Sequence, residues 1–295
     1  MKYMLLFLII HSAILSQAQS FNKREGAAKN VQLVGKINQE GLSAPPFNLW
    51  FVKNKQAYAP NAQAINELKT SINEYTITVF MGSWCGDSKR LVPRLYNILE
   101  AANFDLDRLT MVAVARDRAH YKQSPGGEQE GQLIHRVPTI ILLKDGKEKG
   151  RIVESAIVSL ENDMLAIIQG AYTPNHHLVT LVDQKLDQIE PRTFEKRLKK
   201  YAKKLQPLAH SPYQLNTYAN ILYYDLQKEK ALAVLHLNTY LFPDNTTALY
   251  NYGYRLMLSD QLKKAAIFFK KVLEISPTNK KALDALSKIE SKLKS

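Results

Sequence analysis

The 295-residue sequence contains a single cysteine, Cys85, so no disulfide can form within the chain. This excludes the small secreted folds that depend on several disulfides. Beyond Ser20 the sequence also lacks an apolar run of the roughly 20 residues that a membrane-spanning helix needs. Because 45% of the residues are hydrophobic and 23% are charged, the composition is that of a folded globular protein rather than a disordered one.

The segment from Met1 to Ala18 has the pattern of a cleaved export signal. Lys2 precedes an apolar stretch from Met4 to Leu15, and Ser16 and Ala18 are the small residues expected before a cleavage site. The stretch is short and interrupted, which favours cleavage after Ala18 over an uncleaved anchor. No cysteine follows Ala18 to carry a lipid. We therefore expect an exported protein, periplasmic or secreted, without a stable membrane anchor after cleavage.

The pattern of apolar residues predicts two folded units after this signal peptide (1–18). Strands are predicted at 75–81, 109–115, 139–143 and 149–154, helices at 61–72, 88–102 and 159–169, and strands or loops between 32 and 51. This alternation indicates an α/β domain with helices flanking a sheet. Strand signals then cease, and the rest is expected to be all-α. The predicted segments are a flexible lead-in at 19–30, the α/β domain at 31–170, a linker at 171–185 and a helical domain at 186–295.

The helical domain repeats itself at a constant interval, which matches Leu215 with Leu249, Ala231 with Ala265, and Pro243 with Pro277. This interval resembles that of tetratricopeptide repeats, which implies a surface for a protein partner. We expect repeats at about 212–245 and 246–279, a capping helix at 280–293, and a degenerate repeat around the stripe at 194–205. From residue 185 onward, 20 Lys and Arg face 10 Asp and Glu. We interpret this charge as a solvated helix face and expect no nucleic-acid partner.

Cys85 lies between a predicted strand and a predicted helix, in the run Trp84-Cys85-Gly86-Asp87-Ser88. Free backbone N–H groups and the positive end of a helix dipole favour a thiolate at this place, and the thiolate is the reactive form. His120 and His135 precede the strand at 139–143, but a cysteine–histidine hydrolase needs a third orienting group that is not evident. His176-His177 stands without further ligands at metal-binding spacing. We expect no metal and no cofactor.

The stretch from Phe80 to Lys89 resembles the active site of thioredoxin-like proteins. Pro93 matches their helix-kinking proline, Val137-Pro138-Thr139 matches their cis-proline loop, and the hairpin at 144–150 matches their closing turn. The resemblance covers roughly positions 60 to 170. It implies a groove in which Cys85 faces a cis-proline and an extended substrate segment pairs with the backbone beside it.

Three departures from that family limit the expected chemistry. Ser88 stands where a second cysteine normally resolves a mixed disulfide, so this chain cannot act alone as a dithiol reductase. Val79 and Ala113 replace a buried carboxylate and its lysine partner. Asp87 is a candidate substitute base, although a carboxylate beside a thiol also disfavours the thiolate. Ser88 either donates a hydrogen bond to the thiolate or is an ordinary residue of the first helical turn.

We therefore expect an exported thioredoxin-like protein that uses one thiol for mixed-disulfide or isomerase-like exchange with thiol- or disulfide-bearing proteins. The alternative is a redox-silent, chaperone-like module that binds proteins with its groove and its repeats, similar in architecture to the chaperedoxins. Under the first hypothesis the chain is a thiol–disulfide oxidoreductase or isomerase that lacks a resolving cysteine, and the sequence does not decide between the two hypotheses. The expected catalytic residues are Cys85 and Ser88. The expected substrate-binding residues are Trp84, Gly86, Asp87, Val137, Pro138 and Thr139.

Overall fold

The computed structural model describes residues 21–294, so the predicted signal peptide lies outside the described residues. Within them, a mixed sheet with its helices is followed by an all-helical region, which confirms the fold class expected from the sequence. The sheet has the order β1-β2-β4-β3-β5-β6, in which β3 and β4 are parallel and the other neighbours are antiparallel. Its strands are β1 (Lys23–Glu25), β2 (Gln32–Ile37), β3 (Thr76–Met81), β4 (Leu109–Ala113), β5 (Thr139–Lys144) and β6 (Lys147–Val153).

The central strand β3 separates two cores because its side chains alternate between the faces of the sheet. Ile77, Val79 and Met81 are buried in the main core, which the helices of this domain cover. Phe80 points to the other face and belongs to a smaller cluster, against which Trp84 and Cys85 also pack. The remaining buried members of that cluster are Val112, Val114, Ile134, Val137 and Ile141.

Five α-helices belong to this domain, and side-chain caps fix several of their starts. Asn61 accepts a hydrogen bond from the N–H of Ala64 at 3.0 Å, and Ser159 accepts one from Asn162 at 3.3 Å, as expected of N-caps. The helices are α1 (Gln39–Ser43), α2 (Asn48–Gln56), α3 (Ala62–Leu68), α4 (Gly86–Ala101) and α5 (Leu160–Ile168).

The structure differs from the sequence-based expectation in the part of this domain that precedes α3. Strand β1 lies inside the expected flexible lead-in and pairs with β2, with Arg24 opposite Leu33. Strand β1 lies at the edge of the sheet, and its sequence Lys-Arg-Glu is polar throughout. It therefore lacks the alternation of apolar and polar residues that predicts a strand. Helices α1 and α2 occupy a stretch expected to be strands or loops. The peptide bond between Pro45 and Pro46 is cis and lies between these two helices.

The all-helical region starts earlier than expected, because α6 occupies part of the predicted linker at 171–185. Leu178, Val179, Val182 and Leu186 are buried on one face of α6, and this face anchors the helix in the second core. The helices are α6 (His177–Gln188), α7 (Pro191–Glu195), α8 (Leu198–Leu205), α9 (Tyr213–Tyr224), α10 (Lys228–Leu241), α11 (Thr246–Leu258), α12 (Leu262–Ile275) and α13 (Lys280–Lys294).

Two helix pairs, α9 with α10 and α11 with α12, repeat the same backbone geometry at the interval seen in the sequence. The turns of both pairs contain a left-handed residue, Leu226 with φ 61° and Asp260 with φ 58°. In the first pair the next N–H, of Gln227, bonds to the carbonyl of Leu222 at 2.8 Å, and the equivalent bond of the second pair is 2.9 Å long. The interval at which the sequence repeats is therefore also the interval at which the helix pairs repeat. Of the helices between Phe21 and Lys294, none is long and apolar enough to cross a membrane.

Candidate active site

Cys85 is the residue immediately before the first turn of α4, with φ −86° and ψ 129°. Its carbonyl accepts the hydrogen bond from Lys89 that opens the helix, at 3.0 Å. The side chain is half-buried, because it packs against the small cluster around Phe80. The thiol thus lies at the positive end of a helix of 16 residues and retains access to solvent.

The thiol faces the segment that was expected to form the substrate groove. The Cys85 S–H donates a hydrogen bond to the carbonyl oxygen of Val137, with 3.2 Å between Sγ and O. The peptide bond between Val137 and Pro138 is cis. Thr139 starts β5, is buried, and donates its hydroxyl to the carbonyl of Arg136 at 2.8 Å. The structure therefore brings Cys85 into contact with Val137, beside the cis bond to Pro138, whereas the Thr139 hydroxyl is bound to Arg136.

Trp84 is fixed by one hydrogen bond and by a close approach to Gly82. Its indole Nε1–H donates to the carbonyl oxygen of Val114 at 2.9 Å. A Cβ atom placed on Gly82 would lie 2.7 Å from Cε2 of the indole, a distance that no side chain tolerates. The ring consequently covers Gly82 and joins the edge of the small cluster.

Two of the expected site residues point elsewhere. Asp87 forms an ion pair with Arg90 at 2.8 Å, and both side chains are largely exposed. Ser88 is fully buried, and its Oγ accepts a hydrogen bond from the backbone N–H of Gly82 at 3.2 Å. The structure therefore places Ser88 as a residue of the first helical turn that ties α4 to the end of β3. Gly86 leaves an open space, since a Cβ atom there would meet nothing within 4 Å.

A buried lysine beside the groove was not predicted from the sequence. Lys122 lies in the segment between β4 and β5, is 5% exposed, and its ammonium group donates to the carbonyl oxygen of His135. Burial is the largest influence on this group and lowers the pKa of Lys122 to about 7. A thiolate at Cys85 acts in the opposite direction and raises it. The loop has no apolar periodicity, so only the three-dimensional structure shows that this lysine is buried.

An ion-paired cluster joins the cis-proline segment to the start of the helical region. Glu154 binds Arg136 at 2.6 Å and His176 at 2.7 Å. Burial alone would raise the pKa of Glu154, but the hydrogen bond from His176 and the charge of Arg136 outweigh it and hold the value at about 2. His135 packs edge-on against His176, with 5.8 Å between ring centres, and burial lowers the pKa of His135 to about 3. His135 is therefore neutral at physiological pH.

The helical region also contacts the groove directly. Arg136 donates a hydrogen bond to the carbonyl oxygen of Tyr213, at the start of α9, at 3.1 Å. The rings of Tyr121 and Tyr224 lie 5.9 Å apart, and Leu133 packs against the second core. A cleft of about 220 Å³ remains between the β4–β5 segment and helices α6 and α9. The site is thus built from both parts of the chain.

The first part of the chain has a thioredoxin-like fold. Its sheet, its cis-proline and its helix-starting cysteine agree with a sequence similarity to a known protein. The chain is 36% identical to the thioredoxin of Chlamydia trachomatis serovar D over 74 residues. The aligned region is 25% of this chain and spans 63% of the length of that relative, so most of the chain has no counterpart in it. No family model matches the sequence.

Proposed function

We propose that this protein exchanges disulfides with partner proteins through the single thiol of Cys85. The observation that carries the proposal is the position of Sγ, at the N-terminus of α4 and 3.2 Å from the Val137 carbonyl oxygen. A helix N-terminus stabilises the thiolate, and the cis-proline segment offers backbone groups to an extended substrate. The similarity to a thioredoxin supports the same chemistry.

The proposed exchange has two steps, because the described chain has no second thiol. The Cys85 thiolate attacks one sulfur of a partner disulfide, so that a mixed disulfide forms and the other partner sulfur leaves with the electron pair. A second thiolate, from the same partner or from a small external thiol, then attacks the mixed disulfide and releases Cys85. The protein ends unchanged, and the partner is left with a rearranged or exchanged disulfide.

The proposal includes export and a role for the repeated helix pairs. The segment from Met1 to Ala18 supports export to the periplasm or the exterior, where disulfides persist. We propose that the two repeated helix pairs are tetratricopeptide-type repeats that bind the partner protein. Sequencing of the N-terminus of the mature protein tests export, and a start at or next to Gln19 is expected.

The exchange is tested with glutathione disulfide as the probe. The full chain is incubated with it, natively and in denaturant, and formation of the glutathionyl adduct is followed by mass spectrometry. We expect the native thiol to react at least about tenfold faster than the same thiol in the unfolded chain, because only the fold supplies the helix N-terminus. Cys85→Ser should form no adduct. Equal native and unfolded rates would contradict the proposal.

A redox-silent binding module is the second candidate, and the repeated helix pairs are the observation that favours it. In that case the protein suppresses aggregation of an unfolding protein equally well as wild type and as Cys85→Ser. If suppression persists in the variant while the native thiol reacts no faster than the unfolded one, this second function replaces the first.

A further inference from the structure

Lys122 is held in place by the backbone on both sides. Its N–H donates to the carbonyl oxygen of Ala115 at 3.0 Å, and the N–H of Ala115 donates to the carbonyl oxygen of Gln123 at 2.9 Å. Lys122 itself adopts the left-handed conformation, with φ 59°. The segment after β4 therefore turns Lys122 inward, although lysine is among the residues least often fully buried without a partner.

The ammonium group of Lys122 and the thiol of Cys85 are bound to neighbouring parts of one short segment. Lys122 donates to the carbonyl of His135, and Cys85 donates to the carbonyl of Val137, slightly further along the chain. The ammonium group also lies 5.1 Å from the centre of the Tyr121 ring. A negative charge at Cys85 would raise the pKa of Lys122 and that of Tyr121.

The buried ammonium group has no carboxylate as its partner. Among residues 21–294, none of the ion pairs involves Lys122. Glu154 attracts it from a distance, but both carboxylate oxygens of Glu154 are already bound, to Arg136 and to His176. A buried cation without a counter-ion is costly, so an anion that forms near it is stabilised.

Other titratable groups surround Lys122 from each element packed against it. Arg136 repels its ammonium group, and His135 is neutral. The cleft between this segment and the helical region is lined by both acidic and basic side chains. Besides Lys122, its charged lining residues are Glu130, Asp183, Asp187, Asp225 and Lys230. Asp183 is bound by the hydroxyl of Tyr218 at 2.5 Å. Of the groups that interact with Lys122, Cys85 is the one that acquires a negative charge during the proposed exchange.

We propose that Lys122 is a positioning residue for Cys85 and that its ammonium group serves as the counter-ion of the Cys85 thiolate. This inference rests on the proposed disulfide exchange. Helices α6 and α9 line the same cleft as Lys122, so the helical region lies beside this group. Val79 and Ala113, which replace the carboxylate and lysine of thioredoxin-like proteins, are apolar and fully buried in the main core. Neither position therefore supplies a charge to the thiol.

The charges balance through the step. Before attack, the Cys85 thiol loses its proton to solvent, and the ammonium group of Lys122 balances the charge of the thiolate. As Sγ bonds to one partner sulfur, the partner disulfide breaks and its other sulfur leaves as a thiolate. The leaving thiolate carries the negative charge away and takes up a proton from solvent, while Lys122 remains an ammonium group. The proton and the electron pair are both accounted for without an outside oxidant.

The single cysteine allows a direct test in the full chain. The rate of alkylation by iodoacetamide is measured against pH for the wild type, Lys122→Met and Lys122→Arg. We expect the midpoint of the profile to rise by about one pH unit in Lys122→Met, which lowers the rate near pH 7 by up to about tenfold. Lys122→Arg keeps a positive charge and should stay within about threefold of the wild type. Profiles of Lys122→Met and wild type that coincide would overturn the inference.

A second measurement decides the question if the lysine variants fail to fold. The side-chain carbon next to the Lys122 amine is followed by NMR against pH in the wild type and in Cys85→Ser. Because the interaction is mutual, the pKa of Lys122 should fall when the thiol is replaced. An identical titration in both chains would refute the pairing. These results are separable from the exchange itself: a native thiol that is slow with glutathione disulfide rejects the function, whereas a fast thiol that is indifferent to Lys122→Met rejects only the role of Lys122.

Discussion

The backbone N–H of Gly82 and the hydroxyl of Ser88 are joined by a hydrogen bond of 3.2 Å across the turn from β3 into α4. Ser88 occupies the third position of the helix that Cys85 precedes, and it is fully buried. The side chain at the position of a resolving cysteine is therefore part of the scaffold that holds the thiol. The effect of the missing second cysteine can therefore be tested by placing a cysteine at position 88.

We expect Ser88→Cys to form an intramolecular disulfide with Cys85, because both side chains lie in the first turn of one helix. Oxidised Ser88→Cys should show no free thiol and no glutathionyl adduct, and it should reduce insulin disulfides repeatedly when an external reductant is supplied. Thiol titration and mass spectrometry measure the first result, and insulin turbidity measures the second. The control is Cys85→Ser combined with Ser88→Cys, which should stay inactive. Two persistent free thiols in oxidised Ser88→Cys would contradict this prediction.

Gly82→Ala should displace the indole of Trp84. The new methyl group would stand 2.7 Å from the ring, so the hydrogen bond from Nε1 to Val114 is expected to break at a cost of about 1 to 2 kcal/mol in the free energy of unfolding. Fluorescence in a Trp50→Phe background should report the movement of Trp84. Gly86→Ala is the matched control, because its methyl group meets nothing within 4 Å. If both variants unfold at the same denaturant concentration, the close approach is not structurally important.

Glu154→Gln should loosen the junction between the sheet domain and the helical region. Removing the carboxylate breaks its ion pairs with Arg136 and His176, and we expect a loss of about 1 to 2 kcal/mol in the free energy of unfolding at pH 7. Glu74→Gln, which breaks the exposed pair with Lys144, serves as the control and should cost less than about 0.5 kcal/mol. Equal losses would mean that the junction pair contributes no more than a surface pair.

The pH dependence of the same variant has a definite sign. Because the pKa of Glu154 is held at about 2, below its unfolded value, its contribution is fully present above the unfolded pKa and is lost as pH falls toward 2. The difference in unfolding free energy between the wild type and Glu154→Gln should therefore shrink between about pH 4.5 and pH 2. Denaturant unfolding at a series of pH values measures it, and a difference that stays constant through this window would be inconsistent with the ion pairs.

Gly253→Val should destabilise the second repeated helix pair. A Cβ atom at Gly253 would lie 3.2 Å from Phe268 Cβ and from Phe269 Cε1, so α11 and α12 would have to separate. We expect a loss of about 1 to 3 kcal/mol, measured by thermal and denaturant unfolding. Lys263→Val, at an exposed position of α12, reports the cost of valine in a helix alone and should be well below this. Equal costs for the two variants would show that close contact at Gly253 is unnecessary.

The elements that carry the site were predictable because their sequence signals are local. The β-branched run at 76–81 predicts β3, and the apolar stripe that follows predicts α4. The residues around Cys85 and Val137 indicate the groove. The repeat interval of the helical domain likewise reappears as two equivalent turns. For the strand, the helix and the repeats, a regular arrangement of apolar residues was enough to indicate the structure, whereas the groove was predicted from the resemblance to thioredoxin-like proteins.

The parts that could not be predicted depend on contacts far apart in the sequence. Strand β1 is polar and exposed at the sheet edge, and Phe51 is the one buried residue of α2, so neither element has an apolar period. The inward position of Lys122 comes from a loop that turns back on Ala115, and the cleft beside it is completed by the helical region. Glu154 and His176 are 22 residues apart and belong to different parts of the chain.

The hydrogen bond from Arg136 to the carbonyl of Tyr213 connects the helical region to the segment that contains the cis-proline. Arg136 adjoins Val137 in sequence, and Tyr213 is the first residue of α9, on which the repeated helices are built. A displacement of α9 would therefore disturb a bond of the residue next to Val137, together with the contact between Tyr121 and Tyr224.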